Sequence, residues 1–311
     1  MLSRPLHCRA GAPTLRPVAS IVVPTCGRPH MLRRCLDALA AQEYPRDRYE
    51  VVVVDDGGRP AASRVVSDFE HTMHMKLLRQ RNGGPASARN LGAESATGEF
   101  LLFTDDDCEP DPHWLYSMLE ELHESPDCLT GGRVDNSLVD NPYSAASQFI
   151  VDAAYAYYNA TAETARFFTS NNMGLRRDSY HRAGGFDRSF RTSEDRDLCD
   201  RWRQAGGRLR YAHEALVHHA HEHTLGSFWH QHLAYGRGAW RYYRAHRRRV
   251  PGSSTIEIGY YCELAVSTTR QALTRGWRAG GFLALMLVCQ IANTVGFLAE
   301  AVASRTRPRA E

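Results

Sequence analysis

Glu99-Phe100-Leu101-Leu102-Phe103-Thr104-Asp105-Asp106-Asp107 sets a run of large apolar residues directly against three carboxylates. Four apolar side chains in succession fit a strand buried on both faces, and the aspartates then fall where that strand meets its loop. Three like charges on adjacent residues repel one another. The placement therefore predicts an oxygen-ligand site for a divalent cation in preference to a solvated acidic turn.

Upstream the same design recurs. Ala19 to Val23 reads as a buried strand ending at Pro24, and Pro29 opens a helix with apolar pairs at 31/32, 35/36 and 39/40. Glu50 to Val54 holds four valines and runs into Asp55-Asp56-Gly57-Gly58, whose glycines allow the sharp turn of a ligand-facing loop. A weaker strand at Lys76 to Leu78, the loop Arg81-Asn82-Gly83-Gly84-Pro85 and a helix to about Ser95 precede the aspartate-bearing strand. Strands alternating with helices predict an α/β fold on a mostly parallel sheet. Thr25, Asp55, Asp56, Asp105, Asp106 and Asp107 then all lie at strand C-termini, where such sheets bind ligands. No G-x-G-x-x-G follows the first strand and no G-x-x-x-x-G-K-[ST] occurs, which argues against a dinucleotide fold and a P-loop.

Downstream, Trp114 to Glu124 reads as a helix, and the pattern is irregular from Thr130-Gly131-Gly132-Arg133 through Tyr155, Tyr157 and Tyr158, suggesting an acceptor-side insert. Phe167 to Leu175 predicts a short strand and turn. Gly184-Gly185-Phe186-Asp187 leads to Thr192-Ser193-Glu194-Asp195 and a helix from Asp197 to Ala205, for which the acidic pair would serve at least as a favourable N-terminal charge.

The chain of 311 residues is 43% apolar, enough for a sizeable core, and its 38 basic residues nearly balance 35 acidic ones. That balance does not point to nucleic acid as a partner. Eight cysteines without a C-x-x-C pair suggest neither a zinc ribbon nor a disulfide framework and fit a reducing cytoplasm. Residues 1–17 read as a loose leader lacking the apolar stretch of a secretory signal. Ala279 to Ala299 contains no charged residue and is just long enough to cross a bilayer, although Gln290, Asn293 and three glycines equally suit packing on a membrane surface or inside a helical hairpin. Arg275, Arg278, Arg305, Arg307 and Arg309 flank it and suit an anionic leaflet.

In order, Ser20–Thr25, Val51–Gly57, Arg81–Asn90, Phe103–Asp107, Gly184–Phe186 and Ser193–Asp195 resemble the motifs of the family 2 glycosyltransferases, over about residues 18–240. The resemblance implies the GT-A nucleotide-diphosphosugar transferase fold, a catalytic domain at 18–240 and a basic, apolar helical region at 241–311. It implies an inverting, metal-dependent transfer of a single sugar from a nucleoside-diphosphate donor to a hydroxyl acceptor. Pro24, Thr25, Arg28 and Asp55 or Asp56 would face the nucleotide, Arg81 and Arg89 the phosphates or their loop, and Asp106 the sugar. Asp105 and Asp107 match the D-x-D positions that hold Mg²⁺ or Mn²⁺, with Asp107 the more direct ligand. Asp195 matches the general base, and Glu194 would position the acceptor or the loop.

Histidines gather between His213 and His223, but without H-E-x-x-H they do not read as a hydrolase zinc site. The resemblance assigns one of them to the metal or the diphosphate, His219 being favoured over His218. Gln231 to Trp240 lies where processive members carry Q-x-x-R-W; the Arg-Trp pair is missing, which favours single-sugar transfer. The run Arg241, Arg244, Arg247, Arg248 and Arg249 reads as a basic collar beside the membrane-seeking segment. Two rival readings are a sugar nucleotidyltransferase, which should carry a glycine-rich, lysine-bearing loop after the first strand, and a non-catalytic nucleotide-sugar binding module, which could dispense with the carboxylates.

Overall fold

Residues 16–161, 164–253, 257–276 and 279–306 are described by the computed structural model; most of the expected leader, together with Arg278, Arg307 and Arg309, lies outside them. Strand β1 (Ala19–Thr25), helix α1 (Pro29–Ala40), β2 (Tyr49–Asp55), α2 (Ser63–Ser67), β3 (His74–Arg79), α3 (Pro85–Ser95) and β4 (Phe100–Phe103) form the parallel half. There follow β5 (Cys108–Pro110), α4 (Trp114–Glu124), β6 (Cys128–Asn136), α5 (Pro142–Tyr158), β7 (Met173–Arg176), α6 (Arg177–Arg182), α7 (Glu194–Gln204) and β8 (Arg208–His219). The eight strands make one sheet in the order β3-β2-β1-β4-β7-β6-β8-β5. Six run in one direction, and β7 and β5 run against them.

Alternation along the central strands explains the layering. Ile21, Val23, Val51, Val53 and Leu102 face α1, α2 and α4, while Val22, Val52, Val54, Leu101 and Phe103 face α3, α6 and α7. Both sets are fully buried, as a sheet covered on both faces requires. At about 1.5–3 kcal/mol per buried large apolar side chain, these strands anchor the structure, and the loops at their C-terminal ends inherit a rigid base.

Two segments differ from expectation. Residues 128–136 form a full strand, although Gly131 and Gly132 weaken its sequence signal. The glycines are needed for space: a Cβ on Gly131 would meet Phe168 at 2.0 Å, and one on Gly132 would meet the Ala215 carbonyl at 2.1 Å. Residues 142–158 form a helix in place of an irregular insert. Its start is marked by Asn141, whose side chain accepts from the Tyr143 and Ser144 amides, followed by Pro142 at the first helical position.

Three helices complete the chain: α8 (Leu225–Arg249), α9 (Ile258–Thr274) and α10 (Ala279–Thr306). Helix α8 runs unbroken through residue 240, so the expected catalytic and C-terminal regions share one element. Helix α10 packs along α8 at backbone distance: a Cβ on Gly236 would lie 2.0 Å from the Asn293 carbonyl, and one on Gly296 2.0 Å from that of Leu233. One face of α10 buries Phe282, Met286, Cys289 and Ala292; the other exposes Leu283, Leu287, Ile291, Val295, Leu298 and Val302. By length and composition the helix could cross a membrane. The basic collar is only partly available to solvent: Arg241 pairs with Glu300 at 2.9 Å and Arg249 with Asp197 and Asp200, leaving Arg244, Arg247 and Arg248 exposed.

Candidate active site

The C-terminal ends of β1, β2, β4, β6 and β8 open on the same side of the sheet, and the acidic triplet hangs from β4 in their midst. Two guanidiniums and one imidazole serve the three aspartates. Asp105 takes the guanidinium of Arg89, Asp106 that of Arg28, and Asp107 is shared between Arg28 Nη1 at 2.8 Å and His219 Nε2 at 3.2 Å. Protein cations thus already offset much of the repulsion expected within the triplet. Burial alone would raise Asp107, but His219 and then Arg28 hold it well below the usual carboxylate range. Asp106, without exposed surface, is pushed up to about 7 by burial against the opposing pull of Arg28.

This geometry spends Asp106 internally. Its Oδ2 accepts from the Thr25 hydroxyl at 2.6 Å and from Arg28 Nε at 3.3 Å, so the carboxylate expected at the sugar instead locks β1, the Arg28 loop and β4 together. Thr25 and Arg28, expected at the nucleotide, belong to the same lock, and Pro24 lies buried just before it in β1. Asp55 and Asp56 likewise serve backbone. Asp55 accepts from the amides of Gly58 at 2.9 Å and Ala62 at 3.3 Å; Asp56 accepts from Gln80 Nε2 and from the amides of Gly83 and Gly84 at 2.7–2.9 Å. The two carboxylates therefore shape the Gly57–Ala62 and Arg81–Pro85 loops. Arg81 stands exposed on the second of these.

Asp107, Cys108 and His219 bring one donor atom each to within 4.8 Å of one another, the only such group of three among the described residues. The 3.2 Å between Asp107 Oδ1 and His219 Nε2 suits two donors about 2.1 Å from a common ion, so this carboxylate and imidazole fit a divalent cation, while burial holds the Cys108 thiol protonated and makes it a poor ligand. Asp105 is turned to Arg89 and lies outside that group. His219 ends β8, and its other ring nitrogen lies 3.1 Å from Asn171 Nδ2 and 2.6 Å from His221. His218 pairs in register with Glu109 of β5.

Glu194 and Asp195 open α7 across the same cleft. Arg89 joins the two sides: its Nη1 donates to Glu194 Oε1 at 2.8 Å while Nη2 holds Asp105. Asp195, half-buried, meets only main-chain donors, the Arg196 amide at 2.7 Å and the Ser170 amide at 3.4 Å. Burial first, and the neighbouring Glu194 second, push it up to about 7. The residue before the pair, Ser193, is the one non-glycine with positive φ among the described residues, at 68°. Strain of this kind persists where surroundings over-determine it: α8 packs Gly238 against Thr192 and Ser193, and Thr192 donates to the Ala234 carbonyl at 2.9 Å.

Sequence reasoning missed Asn171 and Asn172. Asn171 orients His219; Asn172, fully buried, donates to the Arg133 and Ala215 carbonyls at 2.8 Å and accepts from Trp114 Nε1 at 2.8 Å. Four polar residues, Thr169 to Asn172, set directly ahead of β7 were the available signal.

A model of glycosyl transferase family 2 matches residues 20–184, just over half of the chain. Glycosyltransferase AglE of Haloferax volcanii is 25% identical over 298 residues, covering 91% of this chain and 95% of that protein. The pre-mycofactocin glycosyltransferase of Mycobacterium tuberculosis is 31% identical over 214 residues, covering 66% of this chain but 43% of that protein, so the chain spans under half of its length. Among solved structures, the mannosyltransferase PcManGT from Pyrobaculum calidifontis in complex with GDP-Man and Mn²⁺ superposes with a TM-score of 0.64 at 19% identity, covering 96% of this chain and 89% of that one. A TarS fragment from S. aureus in complex with UDP gives 0.54 at 17% identity, covering 94% and 92%. These likenesses give the GT-A fold, and the sequence match gives the family: the chain belongs to glycosyl transferase family 2 and is a glycosyltransferase.

Proposed function

We propose that the protein transfers a single sugar, with inversion, from a nucleoside-diphosphate donor to a hydroxyl acceptor at a cytosolic membrane surface. The observation that carries this reading is the Arg89 bridge, which sets Asp105 and Glu194, and with Glu194 its neighbour Asp195, about one cleft. Chemistry at an anomeric carbon needs charge handling on opposite sides of the sugar, and the two acidic stretches are the groups we assign to those two sides.

Asp195 is the general base. A carboxylate raised to about 7 can take a proton from an acceptor hydroxyl near neutral pH more readily than one at the ordinary value. Glu194 acts through Arg89, keeping that guanidinium beside the diphosphate. Asp107 and His219 would hold Mg²⁺ or Mn²⁺, with Asp105 the third candidate ligand; the ion, when bound, supplies positive charge to the departing nucleoside diphosphate. Asp55 and Asp56 fix the loops that enclose the base and ribose, and Arg81 approaches the phosphates from the rim. The exposed apolar face of α10 seats the enzyme on the bilayer.

The test is a comparison of Asp195→Asn and Asp107→Ala. The first should retain the rise in Tm that Mn²⁺ with UDP or GDP produces while losing transfer; the second should lose the metal-dependent part of that rise. Normal turnover by Asp195→Asn would remove it as the base.

A further inference from the structure

Arg196 immediately follows the candidate base, yet its side chain leaves the cleft entirely. Its guanidinium carbon lies 4.2 Å from the ring centroid of Tyr242, 5.0 Å from that of Tyr243 and 5.6 Å from that of Tyr158. Nη2 donates to Glu257 at 2.8 Å, to the Tyr158 hydroxyl at 3.1 Å and to that of Tyr243 at 3.3 Å. These partners come from α5, from α8 and from the residue that precedes α9. Tyr158 is itself stacked on Tyr260 of α9, at 5.7 Å between centroids and 19° between planes. A guanidinium held by three ring faces, two phenol oxygens and a carboxylate has little rotational freedom.

The main chain of the same residue touches the reacting side. The Arg196 amide donates to Asp195 Oδ1 at 2.7 Å, and the strained Ser193 lies just before the acidic pair. Asp197, also in the first turn of α7, and Asp200 in the next are strapped to α8 through Arg249, at 2.8 Å and 2.7 Å. Arg196 is the first-turn side chain that also ties in α5 and the residue preceding α9. A left-handed Ser193 could relax if that turn were released, and Asp195 would swing with it.

We propose that Arg196 is a positioning residue for sugar transfer: its aromatic and carboxylate cage fixes the first turn of α7, so that α5, α8 and α9 support the aim of the Asp195 carboxylate. The inference rests on Asp195 as the base. It gives the C-terminal helices a part in turnover distinct from membrane attachment.

The test uses the full-length chain and three variants: Arg196→Lys keeps the charge without the planar fork, Arg196→Met removes the charge, and Glu257→Gln removes only the counter-charge. Three quantities are read in each: deuterium uptake over residues 193–199, the rise in Tm with Mn²⁺ plus UDP or GDP, and nucleoside-diphosphate release from UDP-N-acetylglucosamine and GDP-mannose, with water as acceptor. Arg196→Met should raise uptake at the start of α7, preserve the nucleotide-induced rise in Tm and lower kcat about 10- to 100-fold at unchanged donor KM. Arg196→Lys should recover part of the kcat, and Glu257→Gln should show the same pattern more weakly. Unchanged uptake over 193–199 in both Arg196→Met and Glu257→Gln would overturn the proposal. So would a loss of the nucleotide-induced shift in step with kcat, because Arg196 would then be a general brace. Normal turnover by Asp195→Asn would instead sink the assignment of the base, whatever the uptake data show.

Discussion

The strand-end triplet at Asp105–Asp107 and the helix-start pair at Glu194–Asp195 are both acidic clusters, joined through Arg89, yet Asp107 in the first and Asp195 in the second are shifted in opposite directions, while Asp106, spent on Thr25 and Arg28, is raised like Asp195. Around the triplet, Arg28, Arg89 and His219 crowd the carboxylates, and Asp107 is held well below its ordinary range against the effect of burial. At the start of α7 the one guanidinium available, Arg89, is taken by Glu194, and burial first, with the acidic neighbour second, raises Asp195 to about 7 against the lowering pull of its two main-chain donors. Under the proposed function Asp107 would stay charged to hold a cation, and Asp195 would sit near the balance point of a proton acceptor.

The sharpest way to break this contrast is Asp195→Asn. Removing a general base costs about 10²–10⁴ in rate, and donor binding should not change. Stability provides an independent reading. A carboxyl whose folded value lies above its unfolded value contributes most below pH 4, and that contribution is lost as pH rises through 7. Asp195→Asn should therefore be more stable than the parent above pH 7, by about 1–2 kcal/mol, with the gain vanishing near pH 4. For the parent, kcat measured against pH should climb with unit slope and level off above about 7 as Asp195 ionises; a profile flat from pH 5 to 8 would contradict the contrast.

Next in size is Asp107→Ala. With one of the two closely spaced donors gone, Mn²⁺ should no longer add to the Tm rise produced by UDP or GDP, and the loss should greatly exceed that from Asp105→Ala, whose carboxylate is turned to Arg89. Asn171→Ala should act more mildly. It leaves both ligands but removes one of the two partners of the outer nitrogen of His219, His221 remaining at 2.6 Å, and losses of such supporting bonds typically weaken metal binding about tenfold, measurable by Mn²⁺ titration.

How far the two clusters were legible in the sequence differs for a physical reason. The triplet lies in a segment where strand periodicity, turn glycines and strand-helix alternation all agree, so β1 to β4 and their carboxylate ends could be placed from local pattern alone. What each carboxylate does there was not local: Thr25 meets Asp106 across 81 residues, and Asp56 meets Gly83 and Gly84 across nearly 30. The α7 pair depended on distant partners from the outset. Its surroundings come from β6, whose signal is hidden by Gly131-Gly132, from α5, whose Asn-Pro start was overlooked among aromatics, and from α8, whose glycines mark close helix contact. Patterns that exist to admit a neighbour's backbone or ring look irregular until the neighbour is present.

The smallest expected effect separates the two tasks proposed for the C-terminal layer, supporting the start of α7 and meeting the bilayer. Leu287 and Leu298 are 62% and 58% exposed on the outer face of α10, whereas Met286 and Cys289 are buried on its inner face toward the rest of the protein. Replacing both leucines by glutamine removes largely exposed apolar surface, so the unfolding free energy should stay within about 0.5 kcal/mol of the parent. Turnover in detergent and the pH dependence attributed to Asp195 should also be unchanged. Partition onto vesicles containing anionic lipid should fall about tenfold or more, since each exposed leucine that enters the interface contributes on the order of 1 kcal/mol. Met286→Gln should do the reverse, costing about 2 kcal/mol of stability by placing an amide against Phe282 and Leu264 with no partner for it. If the outer-face change altered the Asp195 pH profile as strongly as the inner-face one, the two faces of α10 would not be doing separate work, and the membrane surface would have to be counted among the groups that set the base.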